Sequence, residues 1–257
     1  MSRFRHLEFE EPTGHPPLRT QTRLGDEERW LTEAQLAFEA GRFEPALRGF
    51  ARALEFNPRS ARAWAGQARM LVELGALDDA KTWADRGLQA CPEDAELLAV
   101  KAVALGRLGD GVAALAFSDA AIAVRGDLPY VWLARADVLL GRKEPAAEQS
   151  LERALALGAF HWFQLWLASR VLAFHRRFAR ALQLAQRGLE TAADRAVLWL
   201  QLGDCQLALG LAGAARHAFA QARELDPASV PGDRMDAAGS GGLGRWLSGL
   251  WKRWRER

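Results

Sequence analysis

Large and small apolar side chains follow one another in a fixed order over residues 196–227. Counted from Ala196 as place 1, large side chains stand at places 4 and 24, and small ones at places 8, 20 and 27. In order along the chain, the marked residues are Trp199, Gly203, Gly210, Ala215, Phe219, Ala222 and Pro227. The spacing predicts two amphipathic helices, with the glycine at place 15 at the turn and the proline at the end.

The same pattern recurs upstream at intervals close to 34 residues. Trp30, Trp64, Trp132 and Trp199 all fall at place 4. The predicted repeats cover 26–59, 60–93, 94–127, 128–160, 161–194 and 195–228. The fourth repeat is one residue short between its tryptophan and the alanine that stands at place 20 in the other repeats. Its turn glycine is expected at Gly141, whereas Arg176 replaces the turn glycine of the fifth repeat.

Two classes of residue explain this repetition. Alanine or glycine at places 8, 20 and 27 would bring the two helices of a hairpin close together, and the large residues at places 4 and 24 would fill the gap to the next hairpin. No single hairpin buries its apolar face alone, so each depends on its neighbours. The apolar share of the sequence, 49%, is sufficient for such a continuous core.

The pattern resembles the tetratricopeptide repeat (TPR), and the resemblance covers most of the chain. It implies an all-α, right-handed solenoid of about six helical hairpins over residues 26–228. It also implies a non-enzymatic scaffold or adaptor that binds a protein or peptide in a concave groove, lined by places 2, 5 and 9 of the first helix in each repeat. The candidate groove residues at those places are Arg62, Arg69, Tyr130, Asp137, Phe163, Trp166, Arg170 and Asp204.

These candidates suggest two kinds of contact. Arg62 and Arg69 lie on one helical face and suit the acidic side chains of a partner. Tyr130, Phe163 and Trp166 would form an aromatic patch for an apolar anchor, although several of these aromatics would equally fit the core between repeats. The paired lysine and asparagine with which some family members hold a chaperone's C-terminal carboxylate have no match in the first two repeats, so a chaperone-tail clamp is not expected.

The repeats are flanked by segments of different composition. Residues 1–25 include three prolines and a glycine between positions 12 and 17, which exclude a helix there. The segment is expected to be flexible, or to carry a short recognition motif around Leu7 and Phe9. Residues 229–242 are rich in glycine, serine and proline and are typical of a linker.

Residues 243–257 predict a basic amphipathic helix. Five basic side chains against one acidic give this segment a net charge of +4, which leaves −2 on the remainder of a chain whose net charge is +2. Tryptophan suits the headgroup boundary of a bilayer and basic residues attract anionic lipids, so the segment predicts an in-plane membrane anchor. The residues expected to contact the membrane are Trp246, Leu247, Leu250, Trp251, Lys252, Arg253, Trp254 and Arg255.

Two alternatives to the anchor remain open. The segment would also serve as a docking helix for a partner protein. It would equally serve as a helix that caps the last hairpin or occupies its own or a partner's groove, in which case the protein is a soluble TPR chaperone or regulator. The body of the chain has no basic stripe, so no nucleic-acid partner is expected.

Motifs of catalysis are missing from the sequence. It contains no Cys-x-x-Cys, no His-Glu-x-x-His, no phosphate loop and no Gly-x-Ser-x-Gly, so neither an enzyme nor a cofactor or metal site is expected. His161 and His175 flank the first helix of the fifth repeat without an acidic partner at ligand spacing, which indicates surface or capping roles. His217 is expected to face solvent.

Cellular location follows from similar reasoning. Cys91 and Cys205 lie too far apart in a stacked array to form a disulfide, and they are expected to be small buried thiols. No N-terminal run resembles a signal peptide, and no run of about 18 apolar residues would span a bilayer. The sequence therefore predicts a cytoplasmic protein that associates peripherally with a membrane.

Overall fold

The structure is a computed structural model that describes residues 20–228, with side chains described from residue 25 onward. Twelve helices make up this part of the chain, and it contains no strand. Residues 1–19, the linker expected at 229–242 and the basic segment expected at 243–257 lie outside the described residues.

The twelve helices pair into six hairpins, which confirms the predicted all-α repeat fold. The hairpins are α1 (Thr20–Glu39) with α2 (Phe43–Phe56), α3 (Ala61–Glu73) with α4 (Leu77–Ala90), α5 (Ala95–Leu108) with α6 (Gly111–Arg125), α7 (Pro129–Gly141) with α8 (Ala146–Leu157), α9 (Trp162–Phe174) with α10 (Phe178–Thr191), and α11 (Ala196–Ala208) with α12 (Ala212–Leu225). The first helix begins ahead of residue 26, where the first repeat was expected to start.

The chain divides into two compact units, Met1–Gly126 and Asp127–Arg257. Helices α1–α6 form the described part of unit 1, and α7–α12 form that of unit 2. Within each unit the second helix of a hairpin packs on the first helix of the next one, and successive first helices also touch. Each hairpin therefore buries its apolar face against a neighbour, as the repeat pattern requires.

The small residues are buried in all six hairpins. Place 8 holds Ala34, Ala68, Ala102, Ala136, Ser169 and Gly203; place 20 holds Ala46, Ala80, Ala114, Ala147, Ala181 and Ala215; place 27 holds Ala53, Gly87, Ala121, Ala154, Gly188 and Ala222. Each alanine at these places is at most 4% exposed. These positions are the points at which helices touch.

Two glycines show how close the contacts are. A Cβ atom added to Gly203 would lie 2.5 Å from the ring of Phe219 within the last hairpin. A Cβ atom on Gly66 would lie 2.5 Å from the ring of Phe50, which belongs to the preceding hairpin. Real Cβ atoms essentially never approach so closely, so the aromatic ring at place 24 depends on a residue without a side chain opposite it.

Two of the tryptophans at place 4 make the same hydrogen bond. The indole N–H of Trp64 donates to the carbonyl oxygen of Pro58, and that of Trp199 donates to the carbonyl oxygen of Ala193, both at 2.8 Å. Each acceptor lies six residues before its tryptophan. The tryptophan thereby ties the start of its helix to the loop that enters the hairpin.

One turn differs from the prediction. The left-handed turn residue at place 15 is Gly41, Gly75, Gly109 and Gly210 in four hairpins, with φ between 69° and 98°. In the fifth hairpin it is Arg176, as expected, with φ of 59°. In the fourth hairpin the prediction of Gly141 is wrong: Gly141 ends α7, and Lys143 adopts the turn conformation with φ of 59°. The turn residue stands as many residues after Trp132 as the turn glycine stands after the tryptophan in the other hairpins. The residue that the fourth repeat lacks is therefore missing between the turn and Ala147.

A matched pair of glycines in the last hairpin tests these packing contacts. Gly203→Ala should lower the free energy of unfolding by about 1–3 kcal/mol, because the new methyl group collides with Phe219. Gly213→Ala, on the exposed face of α12 with nothing within 4 Å of the added Cβ, should instead raise it by up to about 1 kcal/mol. Urea denaturation followed by circular dichroism measures both. Equal stability of the two variants would contradict the described contact.

Candidate functional site

A groove runs along the inner face of unit 1, and we call it the unit 1 groove. Its volume is about 150 Å³. The lining residues are Leu31, Gln35, Phe38, Phe50, Arg62, Gly66, Arg69 and Glu96. Five of these eight stand at places 2, 5 or 9 of α1, α3 and α5. Five of the nine positions that the family resemblance implies for this unit therefore lie around one groove.

The floor of the unit 1 groove is apolar. Leu31 and Phe38 are each 2% exposed, and Phe50 is 5% exposed. Gly66 completes the floor, because its missing side chain leaves the Phe50 ring room to lie against α3. Sequence reasoning missed Phe38, Phe50 and Gly66 as lining residues. Phe50 stands at place 24, which was assigned to packing between hairpins, whereas Phe38 and Gly66 stand at places 12 and 6, to which the repeat pattern gave no role.

Arginines at places 2 and 9 of α3 supply positive charge to the rim. The guanidinium of Arg69 lies 5.1 Å from the centre of the Phe38 ring, a cation–π arrangement that holds the charge beside the apolar floor. Arg62 Nη1 lies 3.2 Å from Glu28 Oε2, and the two side chains are 65% and 62% exposed. An ion pair so exposed contributes about 0–1 kcal/mol to stability, so Arg62 can exchange Glu28 for another carboxylate at little cost.

Glu96 adds negative charge to the same rim. It stands at place 2 of α5, is partly exposed and lines the groove. Glu28, Arg62 and Glu96 occupy place 2 in three consecutive repeats, so the sign of the charge alternates along the rim. The groove as a whole therefore combines an apolar floor with a rim that carries both positive and negative charges.

The candidate residues of unit 2 are placed differently. Asp137 and Trp166 are each 2% exposed and Phe163 is 8% exposed. The rings of Phe163 and Trp166 pack with their centres 5.6 Å apart. Phe163 and Trp166 are thus largely packed in the interior, the alternative that the sequence left open, and their contact with a partner stays a prediction. Asp137 cannot offer its carboxylate to a partner while it is buried.

Three other candidates of unit 2 keep part of their surface. Tyr130, Arg170 and Asp204 are neither fully buried nor fully exposed. The guanidinium of Arg170 lies 5.3 Å from the centre of the Trp166 ring and covers it from one side. This cation–π contact stabilises the packing of the buried indole, so Arg170 supports the interior of the unit as well as presenting charge at its surface.

Asp137 has a partner that the sequence did not reveal. Its Oδ1 atom lies 2.9 Å from Nε2 of His175, which follows α9 and is also largely buried. No acidic residue stands at ligand spacing from His175 in the sequence, and this partner lies 38 residues away, so only the structure reveals it. The roles expected of the other histidines hold: His161 Nδ1 accepts a hydrogen bond from the Phe163 N–H at the start of α9, and His217 is exposed.

The two cysteines are free thiols. The pKa of Cys205 is raised to about 12, mainly by burial and also by the negative charge of Asp204, while hydrogen bonds with Gln201 and Ser169 oppose the rise. Burial is also the main cause of the raised pKa of Cys91, although this thiol is only partly buried, contrary to expectation. A thiol with a raised pKa stays protonated at neutral pH and is a poor nucleophile.

Among residues 20–228, no three His, Cys, Asp or Glu side chains come together in a way that would hold a metal ion. None of the described helices combines the length and apolar character needed to cross a bilayer.

Sequence comparison relates the chain to a family of repeats. A family model described as "Tetratricopeptide repeat" matches residues 8–162, which is more than half of the chain. Among curated protein sequences none matches.

Solved structures of similar fold also contain these repeats. A thermophilic TPR protein from Thermus thermophilus matches 70% of this chain and 99% of its own length, with 25% identity and a TM-score of 0.55. A tetratricopeptide repeat protein from Parabacteroides merdae matches 83% of this chain and 84% of its own, with 16% identity and a TM-score of 0.51. An APC/C hetero-tetramer structure matches 86% of this chain at 13% identity and a TM-score of 0.52, and the match spans 46% of that longer chain.

The Asp137–His175 contact can be tested by a double-mutant cycle. His175→Phe and Asp137→Leu should each lower the free energy of unfolding by about 1–3 kcal/mol, because each leaves a buried polar atom without this partner. The double variant should lose less than the sum, with a coupling energy of about 0.5–3 kcal/mol. Urea denaturation supplies all four values. Strict additivity of the two substitutions would mean that the side chains do not interact.

Proposed function

Because the chain belongs to the tetratricopeptide repeat family, we propose that it is a non-enzymatic scaffold or adaptor with two attachments. It binds a protein or peptide partner in the unit 1 groove, and residues 243–257 hold it at a membrane surface. The protein is then cytoplasmic and peripherally membrane-associated. The observation that carries the first part is the convergence of Arg62, Arg69 and Glu96 around an apolar floor.

The lining of the unit 1 groove defines the partner. An apolar side chain of the partner would lie on the small part of the surface that Leu31, Phe38 and Phe50 leave open to the groove. Carboxylates beside it would pair with Arg62 and Arg69, whose planar guanidinium groups make two parallel hydrogen bonds to a carboxylate. The partner is therefore an extended segment that carries acidic residues next to an apolar anchor.

Features of the rim favour such a partner. The stacking of Arg69 on Phe38 limits the conformations of a long side chain before binding, which reduces the entropy lost when a partner docks. The exposed pair of Arg62 and Glu28 exchanges readily with a partner's carboxylate, since it contributes little by itself. Glu96 favours a basic residue of the partner at one end and disfavours an uninterrupted acidic run.

The candidate residues of unit 2 contribute in another way. Phe163, Trp166 and Asp137 fill the interior and hold their helices in place. Tyr130, Arg170 and Asp204 stay partly exposed and remain candidates for contacts with a partner.

The membrane attachment rests on the sequence of residues 243–257. Three tryptophans and two leucines within 246–254 would enter the headgroup boundary, and the net charge of +4 would draw the segment to anionic lipids. Each basic residue near such a surface contributes about 1 kcal/mol. The apolar contacts add to this attraction, and together they give reversible binding in the plane of the surface.

Selection of peptides from a displayed random library tests the groove. Peptides selected on the full-length protein should contain an apolar residue flanked by Asp or Glu. Their affinity, measured by fluorescence polarisation, should fall at least tenfold in Arg62→Glu/Arg69→Glu, because the substitutions replace attraction by repulsion.

The control for this experiment changes the charge of unit 1 by the same amount elsewhere. Arg48→Glu/Arg52→Glu alters two exposed arginines of α2 that lie outside the groove, and it should leave the affinity within about twofold. Equal affinities of wild type and Arg62→Glu/Arg69→Glu would discredit the groove as the binding site.

Flotation with lipid vesicles tests the membrane attachment. The full-length protein should float with vesicles that contain anionic phosphatidylserine, and a truncated chain of residues 1–242 should remain in solution. A full-length chain that never leaves solution would exclude the anchor. If truncation instead increases the affinity for the selected peptides, the segment occupies the groove and the protein is a soluble regulator.

A further inference from the structure

Three turns lie at one end of unit 2. A Cβ atom added to Gly141, the last residue of α7, would lie 3.5 Å from the ring of His175, which follows α9. At the opposite end, the guanidinium of Arg195, just before α11, lies 4.7 Å from the centre of the Trp162 ring at the start of α9. Helices α7, α9 and α11 therefore run in the same direction. The turns that follow them form one edge, which we call the turn edge of unit 2.

The turn edge of unit 2 is basic. Residues 142–148 and 176–180 contain five basic and two acidic side chains, a net charge of +3. Both acidic residues have an arginine partner at the same edge: Glu144 pairs with Arg142, and Glu148 Oε1 lies 3.0 Å from Arg180 Nη2. Lys143, Arg176 and Arg177 are all exposed at this edge.

Two of these cations occupy a costly backbone conformation. Lys143 and Arg176 both have φ of 59°, at the turn place where four other hairpins have glycine. A side chain in the left-handed region costs roughly 1 kcal/mol relative to glycine. Positions that keep such a residue where glycine fits are candidates for a role beyond folding. In both hairpins the residue kept there is a cation.

The third turn of the edge exposes apolar side chains. Leu209 is 42% exposed and Leu211 is 51% exposed, one on each side of Gly210. A single exposed leucine needs no explanation. Here two flank a tight turn at the same edge as the basic residues, which is the combination of apolar tip and positive charge found in elements that rest on a bilayer.

The equivalent turns of unit 1 have the opposite charge. Over the same places of the three hairpins, the charged residues at the starts of α2, α4 and α6 are Arg42, Glu44, Asp78, Asp79, Lys81 and Asp110, with a net charge of −2. The fold therefore does not require basic residues at these turns, and the positive edge is a property of unit 2.

We propose that the turn edge of unit 2 rests on an anionic lipid surface. Lys143, Arg176 and Arg177 contact headgroup phosphates, and Leu209 and Leu211 enter the headgroup boundary. The proposal rests on the membrane attachment proposed above and adds a second contact, made by the folded body. The side chains project from turn tips, which suits a deformable lipid surface, whereas a protein partner for an acidic segment usually encloses that segment in a groove.

Substitution by glycine tests the cationic part without strain. Lys143→Gly/Arg176→Gly removes two charges from positions whose backbone already suits glycine, so the melting temperature should stay equal or rise. In the full-length protein, the affinity for vesicles of phosphatidylcholine and phosphatidylserine should fall about tenfold or more. Leu209→Ser/Leu211→Ser should also weaken binding, and this loss should persist at high salt because it is not electrostatic.

A charge-matched control and a tail variant separate this inference from the proposed anchor. Arg153→Gln/Arg223→Gln removes two exposed charges on α8 and α12 away from the turns, and vesicle affinity should change less than about twofold. The variant Trp246→Ala/Trp251→Ala/Trp254→Ala, which we call the tail variant, weakens membrane binding by residues 243–257 alone.

Each outcome decides between the two contacts. If the tail variant loses binding and Lys143→Gly/Arg176→Gly matches wild type, the turn edge proposal is wrong and the anchor stands. If the glycine variant loses binding and the tail variant keeps it, the turn edge is supported and the anchor is wrong. If the glycine variant keeps vesicle binding but loses affinity for poly-glutamate, the edge docks an acidic protein instead. A wild-type chain that ignores anionic vesicles overturns both.

Discussion

The close approach of helices at small residues is the constraint on which the rest of this molecule depends. At places 8, 20 and 27 only alanine, glycine or one serine is present, and the opposing side chains leave no space for more. Gly203 can face the ring of Phe219 because it has no Cβ atom. This contact fixes the distance between the two helices of a hairpin, and repetition of the contact brings the first helices of successive hairpins side by side. The alignment of α1, α3 and α5 is what turns places 2, 5 and 9, which are far apart in the sequence, into the rim of a single groove in unit 1.

Much of the fold could be predicted from the sequence because the signals that specify it are local. Helix periodicity, the spacing from tryptophan to glycine and the proline at the end of a repeat all act within one hairpin. The one wrong turn shows the limit of reading residue types by themselves. Gly141 was favoured because glycine tolerates positive φ, but the distance from Trp132 places the turn at Lys143. Arg176 was identified correctly because its hairpin has no competing glycine. Spacing outweighs residue identity when the two disagree, since the helix before the turn must end where its partner helix can pack.

The candidate site could be predicted only in part, because a place in the repeat specifies the direction of a side chain but not what lies opposite it. Arg62 and Arg69 point into a groove that neighbouring small residues leave open. Phe163 and Trp166 also stand at groove places, 2 and 5, yet they are large enough to pack against each other and fill the space themselves. The contact between Asp137 and His175 joins two hairpins, and no pattern within one hairpin contains it. Contacts of this kind depend on the sizes and charges of particular neighbours, which vary from one repeat to the next.

The positions that the packing rule leaves unconstrained are the ones where the two units differ most. The small places are nearly the same in all six hairpins, because any change there alters the helix separation. The turns and the inner faces carry no such restriction beyond a backbone that accepts positive φ. Unit 1 has a groove with both signs of charge and acidic turns, whereas unit 2 has a filled inner face and a basic turn edge. Lys143 and Arg176 show that even the glycine preference at the turn gives way when a side chain is kept there at a conformational cost. A repeat protein of this kind can therefore acquire separate binding surfaces on one framework, since changes at turns and inner faces leave the contacts between helices intact.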